Sequence, residues 1–137
     1  MGIKQAPTAE KIKSVLEREL SERIRFAYLL GSAGTDRFHA ESDIDIGVYW
    51  DKEPDMSKLT HIKLRLENLF GRDVDLVSLN STDVIFARQV LETGRELIVN
   101  DPGELLSWKV DQMSRYPDFK YSRKVVEENI LNRKKYV

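Results

Sequence analysis

The sequence contains no cysteine. Structural disulfides and thiolate metal sites are therefore excluded, and a reducing compartment such as the cytoplasm is expected. It also has no apolar run that approaches the ~20 residues of a membrane-spanning helix. The opening segment MGIKQAPTAEKIKSV lacks the apolar stretch of a signal peptide. An excess of one charge is missing as well: 22 Lys and Arg face 23 Asp and Glu, a net charge of -1. Proteins that hold nucleic acid along their surface need a basic excess, so direct nucleic-acid binding is not expected, although a local basic patch stays compatible. No internal repeat and no low-complexity segment is visible. What is present is a chain of 137 residues, 41% hydrophobic and 33% charged, which reads as one folded domain and not as a disordered chain. A domain of this length buries roughly two-thirds of its unfolded surface, enough for a core without covalent staples.

Hydrophobic periodicity orders the chain. Thr8 to Leu20 reads as a helix capped by Thr8, with Ile12, Val15, Leu16 and Leu20 at helical spacing. Arg25 to Leu30 reads as a strand closed by Gly31, and Ser32 to Glu41 as a polar loop. Asp43 to Trp50 is a second strand. Asp43, Asp45 and Gly47 fall on one face, and Ile44, Ile46 and Val48 on the other. Met56 to Phe70 is a helix stopped by Gly71, and Asp73 to Leu79 a strand with Asp73, Asp75 and Val77 on one face. Thr82 to Thr93 is a helix, Arg95 to Val99 a short strand, and Asn100-Asp101-Pro102-Gly103 a turn. The rest, from Glu104 to Val137, reads as a helical tail broken near Tyr116-Pro117. The order predicts an α/β (α+β) domain, a mixed sheet of about four strands flanked by helices. Residues 1–103 form its body, and 104–137 a tail that packs on the body or on a partner.

Asp43-Ile44-Asp45-Ile46 carries the most chemistry. Carboxylates at i and i+2 of a strand point the same way and repel, so one is pushed toward protonation unless a cation intervenes. Magnesium takes hard oxygen ligands, typically one or two carboxylates plus substrate phosphate oxygens. If the strands at 43 to 50 and 73 to 79 are neighbours, Asp75 brings a third carboxylate. Three such groups suit two-metal phosphoryl chemistry, with ions about 3.5–4 Å apart. The bland alternative is the wet face of an edge strand. Upstream, Gly31-Ser32 follows a hydrophobic strand directly. A glycine there permits close backbone approach, and the following N–H groups and the serine hydroxyl can cradle phosphate.

The segment LLGSAGTDRFHAESDIDIGV resembles the signature of minimal nucleotidyltransferases of the polymerase-beta superfamily: Gly-Ser, a spacer, then Asp-x-Asp. VDLVSLN resembles the strand of their third carboxylate, with Asp75 in that position. ARQVLETGRELI resembles the helix and strand that follow, and WKVDQMSRYPDFKYSRK the C-terminal tail of such proteins. The resemblance implies a polymerase-beta-like fold in which Asp43 and Asp45 bridge two magnesium ions. Asp75 would complete the catalytic metal and orient or deprotonate the acceptor hydroxyl. Gly31 and Ser32 would hold the β- and γ-phosphates of ATP. The family also supplies antitoxins of HEPN and minimal-nucleotidyltransferase modules, implied to transfer AMP from ATP onto a tyrosine of the partner toxin, a ribonuclease. This chain has no arginine followed four to six residues later by a histidine, the toxin's own motif, so it reads as the antitoxin member.

Two alternatives stand beside this reading: an antitoxin that neutralises by binding alone, and a nucleotidyltransferase acting on a small molecule such as an aminoglycoside. The second needs an acceptor pocket for which little chain is left. Other residues carry weaker readings. Asp73 competes with Asp75 as third ligand. Arg37 and His39 could touch nucleotide or simply be solvated. His61 reads as surface. Arg88 could face the triphosphate or form a salt bridge. Trp108, Tyr116, Phe119 and Tyr121 could meet a partner or pack the tail onto the sheet.

Overall fold

The computed structural model describes residues 7–31 and 43–115. Ser32, Arg37, His39, Tyr116, Phe119 and Tyr121 lie outside the described residues. Helix α1 (Ala9–Leu20) starts where Thr8 Oγ1 accepts the Lys11 N–H at 3.1 Å, satisfying one of the four orphan donors of the first turn. Its buried side chains are Ile12, Val15, Leu16 and Leu20, the stripe set by the sequence spacing. A single 3-10 turn, Ser21–Arg23, then leads into strand β1 (Ile24–Leu30). Strand β2 (Ile44–Trp50) is followed by helix α2 (Met56–Phe70), which Gly71 ends in the left-handed region at φ 68°. Strand β3 (Val74–Ser78), helix α3 (Val84–Thr93), strand β4 (Arg95–Val99) and helix α4 (Pro102–Ser114) complete the order.

The sheet runs β3-β2-β1-β4. β1 pairs antiparallel with β2 and β4, whereas β2 and β3 are parallel, so this is a mixed sheet. Alternation along β2 divides the core. Ile44, Ile46 and Val48 join Leu16, Leu20 and Leu66 on the α1/α2 side. On the other side Phe26, Tyr28 and Leu30 of β1 pack with Ala87 and Val90 of α3 and Leu105 and Trp108 of α4. Tyr49 stacks on Phe26 there, with ring centroids 4.8 Å apart. Asp45 shares the parity of Tyr49, so it belongs to the α3/α4 side of the sheet. Trp108 lies 5.5 Å from Phe26 and 6.1 Å from Tyr28, and is only 5% exposed, so this aromatic packs the core.

Several boundaries differ from the sequence reading by a residue or two. Asp43 and Asp73 precede their strands, which begin at Ile44 and Val74. Helix α3 is capped by Asp83, whose carboxylate accepts the Phe86 N–H at 2.7 Å, so Thr82 stays outside. The expected turn at 100–103 is instead the start of α4: Asp101 caps it by accepting the Glu104 N–H at 3.0 Å, and Pro102 takes the first turn, where its missing N–H is harmless.

Candidate active site

Topology gathers the candidate residues at one end of the sheet. β2 and β3 are parallel, so their starts coincide, and antiparallel β1 ends there. In register, Leu30 stands opposite Asp45 and Asp45 opposite Asp75. Asp43 lies one step before β2, and Gly31 one step after β1. Asp43 and Asp75 are exposed; Asp45 is half-buried. Gly31 has φ 65°. A Cβ built on it would fall 2.7 Å from Asp45 Oδ2, closer than real side chains approach, so Gly31 is the residue that lets the β1 turn lie against this carboxylate.

Asp45 lies within the field of both other carboxylates. The Asp45 carboxyl is pushed above its ordinary value, first by burial, then by the charges of Asp75 and Asp43. Among the described residues, no cation acts on it. Asp73 is not among the groups that raise Asp45; its carbonyl instead accepts the Ile44 N–H at 3.0 Å. Asp75, in direct register with Asp45, is therefore the better-placed third carboxylate. Among the described residues, no three such side chains are already drawn in to metal-ligating distance. The donor set, all hard carboxylate oxygens, fits magnesium, whose remaining positions phosphate oxygens would take.

The remaining sequence candidates have other surroundings in the fold. Arg88 Nε pairs with Glu92 Oε1 at 3.1 Å, an i,i+4 ion pair along α3. His61 is exposed on α2. A cavity of about 530 Å³ lies at the opposite end of the sheet, around Arg25. Asp51 and Asp101 each hold Arg25 at 2.6 Å, which makes it a structural junction between β1, the end of β2 and the cap of α4. One residue near the site gave no sequence signal. Glu67 reads as an exposed helix position, but it reaches the start of β3, where its Oε2 accepts the Val74 N–H at 3.0 Å. Only the packing of α2 beside β3 makes that visible.

Comparison with known proteins bears on the same segment. The family described as Polymerase beta, Nucleotidyltransferase matches residues 10–103. A protein from Shewanella oneidensis named Protein adenylyltransferase MntA is 27% identical over 116 residues, covering 85% of this chain and 83% of that protein. One of the same name from Thermococcus cleftensis is 35% identical over 89 residues, covering 61% of this chain and 90% of that protein. Among solved structures, a crystal structure described as a toxin–antitoxin with AMP-PNP superposes with a TM-score of 0.69 at 26% identity, covering 91% of this chain and 99% of the matched chain.

Proposed function

The chain belongs to the polymerase beta nucleotidyltransferase family, and from that premise we propose that it is an antitoxin adenylyltransferase. It transfers AMP from magnesium-bound ATP to a hydroxyl, a tyrosine, of a cognate HEPN-type ribonuclease toxin in the cytoplasm. The observation that carries the proposal is the row formed by Gly31, Asp45 and Asp75. A left-handed glycine lies against one carboxylate, and a second carboxylate stands in direct parallel register with it. The relatives named protein adenylyltransferase and the toxin–antitoxin neighbour holding an ATP analogue support the choice of donor and acceptor.

The chemistry follows from the row. The acceptor oxygen attacks the α-phosphorus of ATP. The new O–P bond forms as the bond from the α-phosphorus to the oxygen bridging the β-phosphate breaks, and pyrophosphate leaves. Asp75, exposed near the start of β3, orients the hydroxyl and takes its proton. Asp43 and Asp45 are the ligands expected to hold magnesium with Asp75, and the backbone at Gly31 with the Ser32 hydroxyl holds the β- and γ-phosphates. Bound magnesium would neutralise the charge that develops on the attacking and leaving oxygens. The protein's own contribution is positioning, which holds the reacting atoms roughly 3–3.5 Å apart.

Residues 1–103 serve as the catalytic body in this scheme. The tail from residue 104 braces it or faces the toxin; its described part, within α4, packs on Phe26 and Tyr28, which supports the bracing role. An AMP group on the toxin adds a negative phosphodiester that would compete with RNA phosphate, a direct route to neutralisation. The test is to co-purify the chain with its neighbouring gene product and supply ATP labelled either in the α- or in the γ-phosphate. Label on the partner from α-labelled ATP alone supports adenylyl transfer. Label from the γ-position, or on a small molecule, or a bound but unlabelled partner, rejects it.

A further inference from the structure

We infer that Glu67 is a positioning residue of the active site, holding the Asp73–Val74 peptide and thereby setting where Asp75 stands relative to Asp45. The inference rests on the reading of Asp75 as catalytic. Among the described residues, strand β3 lies at the edge of the sheet, with β2 as its single strand neighbour. Its outward-facing peptide groups have no ladder partner and must be satisfied otherwise. A trans peptide is planar, so its C=O and N–H point in opposite directions. The Asp73 C=O accepts the Ile44 N–H from β2 at 3.0 Å, so the Val74 N–H of the same peptide points away from the sheet. Glu67 Oε2 accepts that N–H at 3.0 Å. One rigid unit is thus gripped from both sides, and both grips adjoin the catalytic row. Ile44 immediately precedes Asp45, and Val74 immediately precedes Asp75.

The anchor behind Glu67 is firm. Its neighbour Leu66 is completely buried, and its own carbonyl accepts the Gly71 N–H at 2.8 Å, closing the turn that leads into β3. Val74, the residue it grips, is 1% exposed. The need for a grip comes from the site itself. Strand β3 carries Asp75 and, among the described residues, pairs with β2 alone, so its outer edge is where a further hold can act. Without Glu67 the Asp73–Val74 peptide keeps only its inner hydrogen bond. A misplacement near 1 Å costs on the order of 100-fold in rate at sites that depend on positioning.

The experiment compares Glu67→Ala with Glu67→Gln, which keeps an acceptor oxygen at the same reach. The readouts are kcat and the KM for ATP in AMP transfer to the co-purified partner, and the exchange rate of the Val74 amide by NMR. Glu67→Ala is expected to lower kcat about 10- to 100-fold, to leave the KM for ATP nearly unchanged, and to speed Val74 exchange. Glu67→Gln should restore both kcat and Val74 protection. In an Asp75→Glu background, whose residue is already misplaced, Glu67→Ala should add much less than it does alone. Wild-type kcat in Glu67→Ala, a loss that Gln does not rescue, or a full additive loss in the Asp75→Glu background would each overturn the inference. An Asp75→Asn variant with full activity would instead overturn the reading beneath it.

Discussion

Replacing Gly31 with alanine adds one methyl group, and the structure says where that group goes. At φ 65° an L-residue carries roughly 1–2 kcal/mol of backbone strain. Part of this is offset, by about 0.4–1 kcal/mol, because alanine leaves the unfolded chain less entropy to lose. A net loss near 1 kcal/mol lowers the melting temperature of a domain of this size by roughly 2–6 °C. The new Cβ would stand 2.7 Å from Asp45 Oδ2, whereas carbon and oxygen in contact settle at roughly 3.3–3.6 Å. The carboxylate can swing aside, so the clash adds little to the stability loss. The swing is what harms catalysis, because it displaces the proposed magnesium ligand by somewhat under 1 Å, for an expected fall in kcat of about 10- to 100-fold. Gly47→Ala is the matched control on the same sheet face. Its Cβ would meet the Leu79 side chain at 3.1–3.4 Å, away from any carboxylate. It should cost stability but leave kcat near wild type. Transfer kinetics with thermal melts of both variants check the pair. Wild-type kcat in Gly31→Ala, or equal losses in the two variants, would refute the reasoning.

Two further outcomes are expected. The Asp45 carboxyl is raised above its ordinary 3.8 by burial, then by Asp75 and Asp43. The folded chain therefore binds this proton more tightly than the unfolded one, so stability falls as pH rises from 3.8 through the raised value, and the deficit persists at pH 7. In chelator, Asp45→Asn should thus melt above wild type at pH 7, with the advantage vanishing as the pH approaches 3.8; a variant less stable at pH 7 would contradict this. Leu16→Ala removes a fully buried side chain between α1 and the sheet, and should cost about 2–5 kcal/mol in urea unfolding; a loss below 1 kcal/mol would show that the α1 stripe is not core.

Much of this architecture was legible because the signals were local. Met56 to Phe70 was bounded by a helical stripe and a glycine suited to the left-handed stop, and the structure ends α2 there. Arg95 to Val99 was bracketed by Gly94 and the Asn100-Asp101-Pro102 segment. Less legible was where α3 begins: the sequence reading starts it at Thr82, whereas Asp83 accepts the Phe86 N–H and caps it. The 3-10 turn at Ser21–Arg23 has no periodic signature, and it contains Ser21 at φ 41°, a conformation that sequence gives no reason to expect. In the candidate site, alternation predicts one face for Asp43 and Asp45, whereas Asp43 precedes β2, and their meeting with Asp75 needed an assumed strand pairing. The parallel register of β2 and β3 supplies it. Glu67 was invisible for the opposite reason: its partner, a backbone N–H, carries no mark in the sequence.

The most direct measurement is the intact mass of the neighbouring gene product after incubation with this protein, ATP and magnesium. The partner is expected to gain mass in whole increments of AMP, with tyrosine as the site on fragmentation. No gain is expected with the Asp43→Asn plus Asp45→Asn double variant, which should still fold and still bind the partner. An unmodified partner with the wild-type protein, or an unchanged mass gain with the double variant, would contradict the assignment of adenylyl transfer to this row of carboxylates.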